Sequence, residues 1–446
     1  MRMTGLNFEA IPPISSPIRF YLTAAAFALL AAIIIALHGE SLWLSRWMPV
    51  TLAITHLIAL GVMAMIMIGS LFQVMPVLCG AAIPISGWRL HLLHLTLATG
   101  VLTLAAAFLG WLSFLFPFVL LGLSLGYFSL TLTWLLITKA KGEQTRIPIL
   151  LAALALSILL LIGLVLLSGY LWGFMPSTGK NLTNLHAGIG SFGWIMLLVM
   201  AVSFQVIPMF HVTPPYSLRW RQALIALLVV GLALASAEAV GLKTVWSGTW
   251  GWLLCVIATL LYCAITIERL TKRKRKLPDV VINYWQIGLI NLMLACLLLL
   301  WFILPFAKPP WAISWQTKLE VLLGFLFGVG FVLAIIQGML LKIVPFLISL
   351  HLQRIMMQNP MAMIPLPDHY QLISRARMKR QFLSYLTLIV TLWLALLLPA
   401  TTPLMAVVFA INWLIIAYNI YGAITLYYEY RSKLLETPKI EWPPTN

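Results

Sequence analysis

The sequence predicts an all-α polytopic membrane protein with 12 transmembrane helices arranged in three pseudo-symmetric four-helix units. Of the 446 residues, 62% are hydrophobic and 9% are charged, and the mean hydropathy is +1.02. A soluble domain carries roughly 25% charged residues, so this chain has too few to cover a surface in water. Soluble enzymes, disulfide-rich secreted proteins and disordered proteins are therefore excluded.

Twelve apolar runs are long enough to cross a bilayer, because about 20 residues suffice for one helical span. Charged residues or clusters of proline and glycine bound each run, as expected where helices begin and end. The predicted spans cover about residues 20–38, 49–76, 88–113, 114–138, 147–170, 184–208, 221–241, 246–268, 282–304, 318–346, 380–400 and 402–428. Residues 1–446 are thus expected to form a single membrane domain, with no cleavable signal peptide before the first span.

The distribution of basic residues predicts the orientation of these spans. Of the 28 lysines and arginines, 22 lie at the termini or in the loops on the same side, five lie on the opposite side, and one lies within a span. Cytoplasmic loops carry such an excess and face the anionic inner leaflet. We therefore expect a multi-pass protein of the bacterial inner membrane with both termini in the cytoplasm. The net charge of +17 then reflects topology, and no nucleic-acid partner is expected.

The longest predicted cytoplasmic loop covers residues 349–380. Its three prolines, Pro360, Pro365 and Pro367, argue against one continuous helix. The apolar run Leu350–Met357 is expected to form a short separate helix in the membrane interface.

Three segments of the chain resemble one another. They are GVMAMIMIGSLFQVMP at Gly61–Pro76, GWIMLLVMAVSFQVIP at Gly193–Pro208 and GFVLAIIQGMLLKIVP at Gly330–Pro345. The glycine precedes the proline by 15 residues in each, and the prolines are 132 and 137 residues apart. The segments fall on the second, sixth and tenth spans (about 49–76, 184–208 and 318–346). This spacing predicts three parallel four-helix units around an axis along the membrane normal.

Two histidines near the start of these repeat spans are the leading site candidates. His56 and His186 precede their prolines by 20 and 22 residues, which places both in the outer half of the membrane. Histidine within a span is costly and is often functional, and imidazole ligates heme iron and copper. The alternative for each is a hydrogen bond to a carbonyl of a neighbouring helix.

Gly61 and Gly193, the repeat glycines on the spans that carry these histidines, are expected to leave room for a heme macrocycle beside them. At about 100° per residue, His186 shares the face of Gly193, whereas His56 points away from Gly61. The two histidines are therefore expected to face different pores between helices. His56 is expected to point toward the first, tenth or twelfth span.

Five further polar residues are weaker candidates. His91 and His94 lie on one face at the start of the third span, where they can ligate a metal or bind headgroups. Gln73, Gln205 and Lys342 occupy equivalent positions in the three repeats, and a polar ring at the inner mouth of a channel is one interpretation. For Lys342, extension of the side chain to the interface is the simpler explanation.

The chain lacks several motifs of known chemistry. It has no Walker A sequence, no CxxCH for covalent heme and no HExxH. The four cysteines show no CxxC spacing and are interpreted as packing residues. Asn412 and Asn419, seven residues apart in the last span, are interpreted as contacts between helices.

The chain resembles the catalytic subunit of heme–copper oxidases and nitric-oxide reductases, because it has twelve spans and its repeat segments fall on the second, sixth and tenth. In that family the second span carries a heme ligand and the sixth a copper ligand, and His56 and His186 are the counterparts. The tenth span here lacks the family's H-x-H, and the seventh has no histidine. The resemblance therefore implies the architecture but no working terminal oxidase.

Two stretches are similar to the NnrS family of heme- and copper-associated membrane proteins. They are THLIALGVMAMIMIGSLFQVMPVLCG at Thr55–Gly80 and NLHAGIGSFGWIMLLVMAVS at Asn184–Ser203. The resemblance implies heme b, with copper as a further cofactor, a redox or nitric-oxide-related role, and an electron donor or quinone as partner beside the lipid bilayer. A solute transporter or channel with a threefold helix bundle, and a cofactor-free structural or assembly subunit, are the alternatives.

Overall fold

Twelve long apolar helices lie in the part of the chain that the structure describes, which confirms the predicted all-α polytopic membrane fold. The computed structural model describes residues 12–173, 179–239, 241, 247–274, 276–305, 309–358 and 364–436, and no strand occurs among them. The helices, named α1–α12 in chain order, are Ser15–Trp43, Pro49–Cys79, Gly87–Phe108, Leu115–Thr138, Gln144–Trp172, Gly179–His211, Leu218–Ala239, Gly248–Thr271, Val280–Ile303, Gln316–Gln358, Arg375–Leu397 and Pro399–Glu436. Pro360 lies outside the described residues, and so do five of the lysines and arginines counted above, namely Arg2, Lys243, Arg275, Lys308 and Lys439.

An even number of spans brings the start of α1 and the end of α12 to one face of the bundle. We call this the inner face and the opposite one the outer face. Consecutive helices pack against each other along most of the chain, and α1 also packs along α12, so the bundle closes on itself. A hydrogen bond of 2.9 Å from Trp43 Nε1 to Thr402 Oγ1 joins α1 to α12 near the outer face.

Each repeat helix contains a π-helical segment, which the sequence analysis did not predict. The segments are Leu57–Ala64 in α2, Ile189–Met196 in α6 and Leu326–Val332 in α10. All three begin 19 residues before the proline of their repeat. Because π-helical turns contain an extra residue, they change which side chains share a helix face, and they occur often at functional sites.

The repeat glycines bring each repeat helix close to the first helix of its own unit. A Cβ atom on these glycines would lie only 2.7–2.9 Å from a neighbouring side chain: Phe27 of α1 at Gly61, Ala155 of α5 at Gly193 and Asn291 of α9 at Gly330. Real Cβ contacts are not this short, so only glycine permits the observed approach. The recurring contact agrees with the predicted repeat, and the threefold symmetry itself stays a prediction.

The predicted break after the tenth span is wrong. Helix α10 continues without interruption to Gln358, so Leu350–Met357 is its last part and no separate helix. Between Pro345 and Gln358 the sequence has no proline or glycine, and it is rich in leucine, glutamine and methionine, which favour helix. The predicted loop 349–380 is therefore shorter on both sides, because α11 begins at Arg375, capped by the Ser374 side chain.

The close approach at Gly330 predicts a specific sensitivity. Changing Gly330 to Ala should lower the free energy of unfolding by about 1–3 kcal/mol, because the new methyl group overpacks against Asn291. Gly324 lies on the same helix with open space beside it, so Gly324→Ala should leave stability unchanged or raise it slightly. Thermal unfolding of the two variants in detergent measures the difference, and equal midpoints would contradict the proposed contact.

Candidate functional site

The two leading histidines lie together near the outer face. The ring centroids of His56 in α2 and His186 in α6 are 6.4 Å apart, and the ring planes differ by 30°. The prediction that they face different pores is wrong, because His56 points toward α3 and α6 instead of α1, α10 or α12. We call these two residues the histidine pair.

Each imidazole of the histidine pair has a nitrogen suited to a ligand. His56 Nδ1 lies 2.8 Å from the carbonyl oxygen of Leu52, one turn earlier. If it donates to this oxygen, the Nε2 lone pair is left as the acceptor. His186 Nδ1 is buried without a hydrogen-bond partner in the described structure. The carbonyl of Leu159 in α5 faces His186, and it is the acceptor for the alternative interpretation, a hydrogen bond to a neighbouring helix.

Apolar groups from α3 and α5 enclose the histidine pair. The ring of Phe108 lies 5.2 Å from that of His56. A Cβ on Gly163 would come within 3.1 Å of His186 Cε1, so the absence of a side chain there makes room for the imidazole. Phe108 in turn contacts Phe114 and Tyr170, whose rings stack at 4.6 Å. These aromatic rings cover the pair on the side of α3–α5.

A polar contact joins the outer ends of all three repeat helices. Arg46 precedes α2 by three residues, and its Nη2 donates a hydrogen bond of 2.8 Å to Asn184 Oδ1 in α6. Its Nε lies 3.1 Å from Glu320 Oε2 in α10. We call these three residues the outer bridge. Sequence reasoning missed it, although two of its members, a cation at an outer loop and an asparagine beside the second histidine, were visible.

Gly61 and Gly193, which were predicted to bind the cofactor, pack directly against side chains of neighbouring helices. The space beside Gly61 is filled by Phe27, and the space beside Gly193 by Ala155, with Leu232 next to it. Their predicted role was to leave room for a macrocycle, but these side chains occupy that room. Both glycines instead allow close packing of helices.

His91 and His94 hydrogen-bond to α1. His91 Nδ1 lies 2.7 Å from Arg19 Nη1, and His94 Nε2 lies 2.9 Å from Thr23 Oγ1. Phe20 packs edge-on against the His94 ring at 4.9 Å. These contacts favour the interpretation as hydrogen-bonded interfacial histidines over a metal site.

Gln73, Gln205 and Lys342 each contact the beginning of the first helix of their own unit. The contacts are Gln73 Nε2 to Pro12 O at 3.1 Å, Gln205 Nε2 to Thr145 Oγ1 at 2.9 Å, and Lys342 Nζ to Asp279 Oδ2 at 3.0 Å. Each side chain therefore has its partner within its unit, which does not favour the polar ring of a channel. The equivalence of the three contacts is a further feature that the repeats share.

Lys342 belongs to a partly buried ionic cluster at the inner face. The side chains of Lys342 and its partner Asp279 are 15% and 22% exposed. His211 is 1% exposed, and its Nδ1 lies 3.5 Å from Asp279 Oδ2. Burial raises the pKa of Asp279, but His211 and the Lys342 ammonium outweigh it and hold the pKa below its usual range. Burial, reinforced by Lys342, lowers the pKa of nearby His369 to about 4.

A chain of buried amides crosses the third unit. Gln337 Nε2 donates a hydrogen bond of 2.8 Å to Asn412 Oδ1, and Asn419 Nδ2 donates one of 2.8 Å to Gln381 Oε1. Gln381 Nε2 also reaches the backbone oxygen of Gln337 at 3.3 Å. Asn412 and Asn419 thus link α12 to α10 and α11, as the sequence predicts. The groups are neutral and paired with one another, which favours a structural role.

The histidine pair lies close to the spacing of two ligands on opposite sides of one metal ion. Through bonds of about 2 Å, two imidazoles that face each other across an ion place their ring centres about 6 Å apart, and the 6.4 Å observed is slightly longer. Among the described residues no group of three or more His, Cys, Asp or Glu side chains is arranged for a metal. A two-ligand site for a single ion fits these residues, whereas the filled spaces at Gly61 and Gly193 do not fit a macrocycle.

Comparison with known proteins does not identify a family. No protein-family model matches the chain, and no curated protein is significantly similar to it. The architecture and the geometry of the histidine pair are therefore the basis for a function.

The inner ionic cluster predicts a pH-dependent loss of stability on mutation. Lys342→Met leaves the Asp279 carboxylate without its cation and should lower the free energy of unfolding by about 3 kcal/mol at pH 7. The pKa of Asp279 is lowered in the folded protein, so its contribution is present at neutral pH and is lost as the pH falls. The difference from wild type in thermal unfolding should therefore shrink in acid.

A second substitution serves as the control. Asn at position 279 still caps α9 but carries no charge, so Lys342→Met combined with Asp279→Asn should recover part of the lost stability. A double variant that is no more stable than Lys342→Met would show that the ion pair is not the cause.

Proposed function

We propose that this protein is a metal-binding protein of the bacterial inner membrane, similar to NnrS proteins, with copper bound between His56 and His186. The observation that carries the proposal is the 6.4 Å separation of two imidazoles contributed by equivalent repeat helices. Copper accepts imidazole ligands and changes between two oxidation states, so it would supply one-electron redox chemistry in a redox or nitric-oxide-related response. Heme b iron is the alternative occupant, which the filled glycine contacts do not support.

The chain's own residues prepare this site in three ways. The Leu52 carbonyl orients the His56 ring through Nδ1, as outer partners of metal-ligating histidines generally do. Gly163 leaves space for His186. Phe108 and the neighbouring aromatic rings exclude water from one side, which makes an unpartnered imidazole nitrogen costly and a bound ion more favourable.

The charge distribution supports an orientation for the site. With 22 of 28 basic residues on the side of the chain ends, the inner face is the cytoplasmic one and the histidine pair lies near the periplasmic surface. Metal and electrons would then reach it from the periplasmic half of the membrane. The tenth span lacks the H-x-H of terminal oxidases, so oxygen reduction is not part of the proposal.

Loss of either histidine should abolish metal binding. Purified full-length protein in detergent, loaded with Cu(I) and desalted, should retain about one copper per chain, measured by mass spectrometry of the metal. His56→Ala and His186→Ala should each retain less than about a tenth of that, because a single imidazole holds copper weakly. His94→Ala removes an imidazole held by Thr23 and should retain the wild-type content.

Three results would contradict the copper proposal. If both single variants keep full copper, the metal is bound elsewhere. If wild type binds no copper but shows a reducible Soret band that the two variants lose, heme iron is the occupant. A wild-type protein with neither metal would favour the cofactor-free structural subunit.

The space at Gly163 gives a second test of the same site. Gly163→Ala places a methyl group against the His186 ring and should weaken Cu(I) affinity roughly tenfold by displacing this ligand. Gly126 in α4 faces α5 with ordinary contacts of 3.7 Å, so Gly126→Ala is the matched control. Competition with a chromophoric Cu(I) chelator measures both, and equal affinities would argue against ligation by His186.

A further inference from the structure

The two proposed ligands lie on helices that do not support each other directly. Helix α2 packs on α1, α3, α5 and α10, and α6 packs on α5, α7 and α8, whereas α2 and α6 share no extended interface among the described residues. Their outer ends are therefore not held at a fixed separation by side-chain packing between them. A two-ligand metal site, however, requires its ligands to be held within a fraction of an ångström.

Arg46 is placed to hold these outer ends together. It lies on the connection to α2, ten residues before His56, and its hydrogen bond reaches Asn184, two residues before His186. Trp47 packs against the guanidinium at 4.6 Å, which restricts the arginine further. The rigid planar guanidinium contacts the Asn184 amide and the Glu320 carboxylate through two different nitrogens, in a fixed geometry that the single nitrogen of a lysine does not provide.

The third unit contributes to this arrangement although it carries no histidine. Glu320 lies near the outer end of α10, and its carboxylate neutralises and orients Arg46. The side chains of Arg46 and Glu320 are 35% and 24% exposed, so the pair is partly shielded from water. Residues of α6 and α10 therefore meet, above the histidine pair, at a cation that lies just before α2.

We infer that Arg46 is the positioning residue of the histidine pair, setting the separation of His56 and His186 through Asn184 and Glu320. The inference rests on the proposed copper site and adds its outer support. Without Arg46 the outer ends of α2 and α6 are held less firmly, and the two imidazoles are less often placed to bind one ion together. Outer partners of metal ligands commonly change affinity by 10–100-fold.

Copper affinity of the full-length protein tests the inference. Arg46→Ala should weaken Cu(I) binding about tenfold in chelator competition and change the electron paramagnetic resonance spectrum of the Cu(II) form. Arg46→Lys keeps the charge but lacks the fixed two-nitrogen geometry, so its Cu(I) affinity should lie between those of Arg46→Ala and wild type. Lys318→Ala removes another outer cation, which lies over the Trp315 ring, and should bind copper as wild type does.

A double-mutant cycle separates positioning from general destabilisation. Because Arg46 acts through Asn184, the double variant Arg46→Ala with Asn184→Ala should lose no more affinity than Arg46→Ala alone. Glu320→Gln keeps a hydrogen-bonding group, so its Cu(I) affinity should fall less than that of Arg46→Ala. If Arg46→Ala does not fold, Glu320→Gln takes its place in the test. Wild-type affinity and spectrum in Arg46→Ala, or additive losses in the cycle, would overturn the inference while leaving the copper site intact. A wild-type protein without copper would overturn both.

Discussion

Close contact between each repeat helix and the first helix of its unit is the constraint on which this bundle depends. Inside a bilayer the lipid is as apolar as the side chains, so helices associate through tight packing and hydrogen bonds. The glycine of each repeat provides the packing, as Gly61 does against Phe27. Near the inner face, the polar residue three positions before each proline adds a contact to the start of the same helix, as Lys342 does with Asp279.

The π-helical segments interrupt the regular turns of these tightly packed helices. Such a segment leaves backbone carbonyls without their usual partners, and the bilayer cannot supply water to satisfy them. In α10 the hydroxyl of Tyr385 lies 3.2 Å from the carbonyl of Val329 and 2.8 Å from that of Gly330. His56 lies immediately before the segment of α2, and His186 lies three residues before the segment of α6. Distortion and candidate site therefore coincide, as they often do in helices with π-helical turns.

The fold was predictable because it depends on composition, whereas the site depends on contacts between distant residues. Hydropathy and proline positions identify twelve spans, and the repeated glycines identify the three special ones. The direction of His56 was missed because the rotation of 100° per residue ignores the π-helical segment that follows it. Arg46 and Glu320 are 274 positions apart, and no local pattern indicates that they meet. Only tertiary structure brings such residues together.

The packing of α1 along α12 has a consequence for biosynthesis. Trp43 is made early, and Thr402, the acceptor of its indole hydrogen bond, follows 359 residues later. Domains generally form from the N-terminus during synthesis, but this bundle closes only when its last helix has entered the membrane. Until then one flank of α1 stays open to lipid or to the insertion machinery. Insertion of α12 is thus the step that completes the packing around α1.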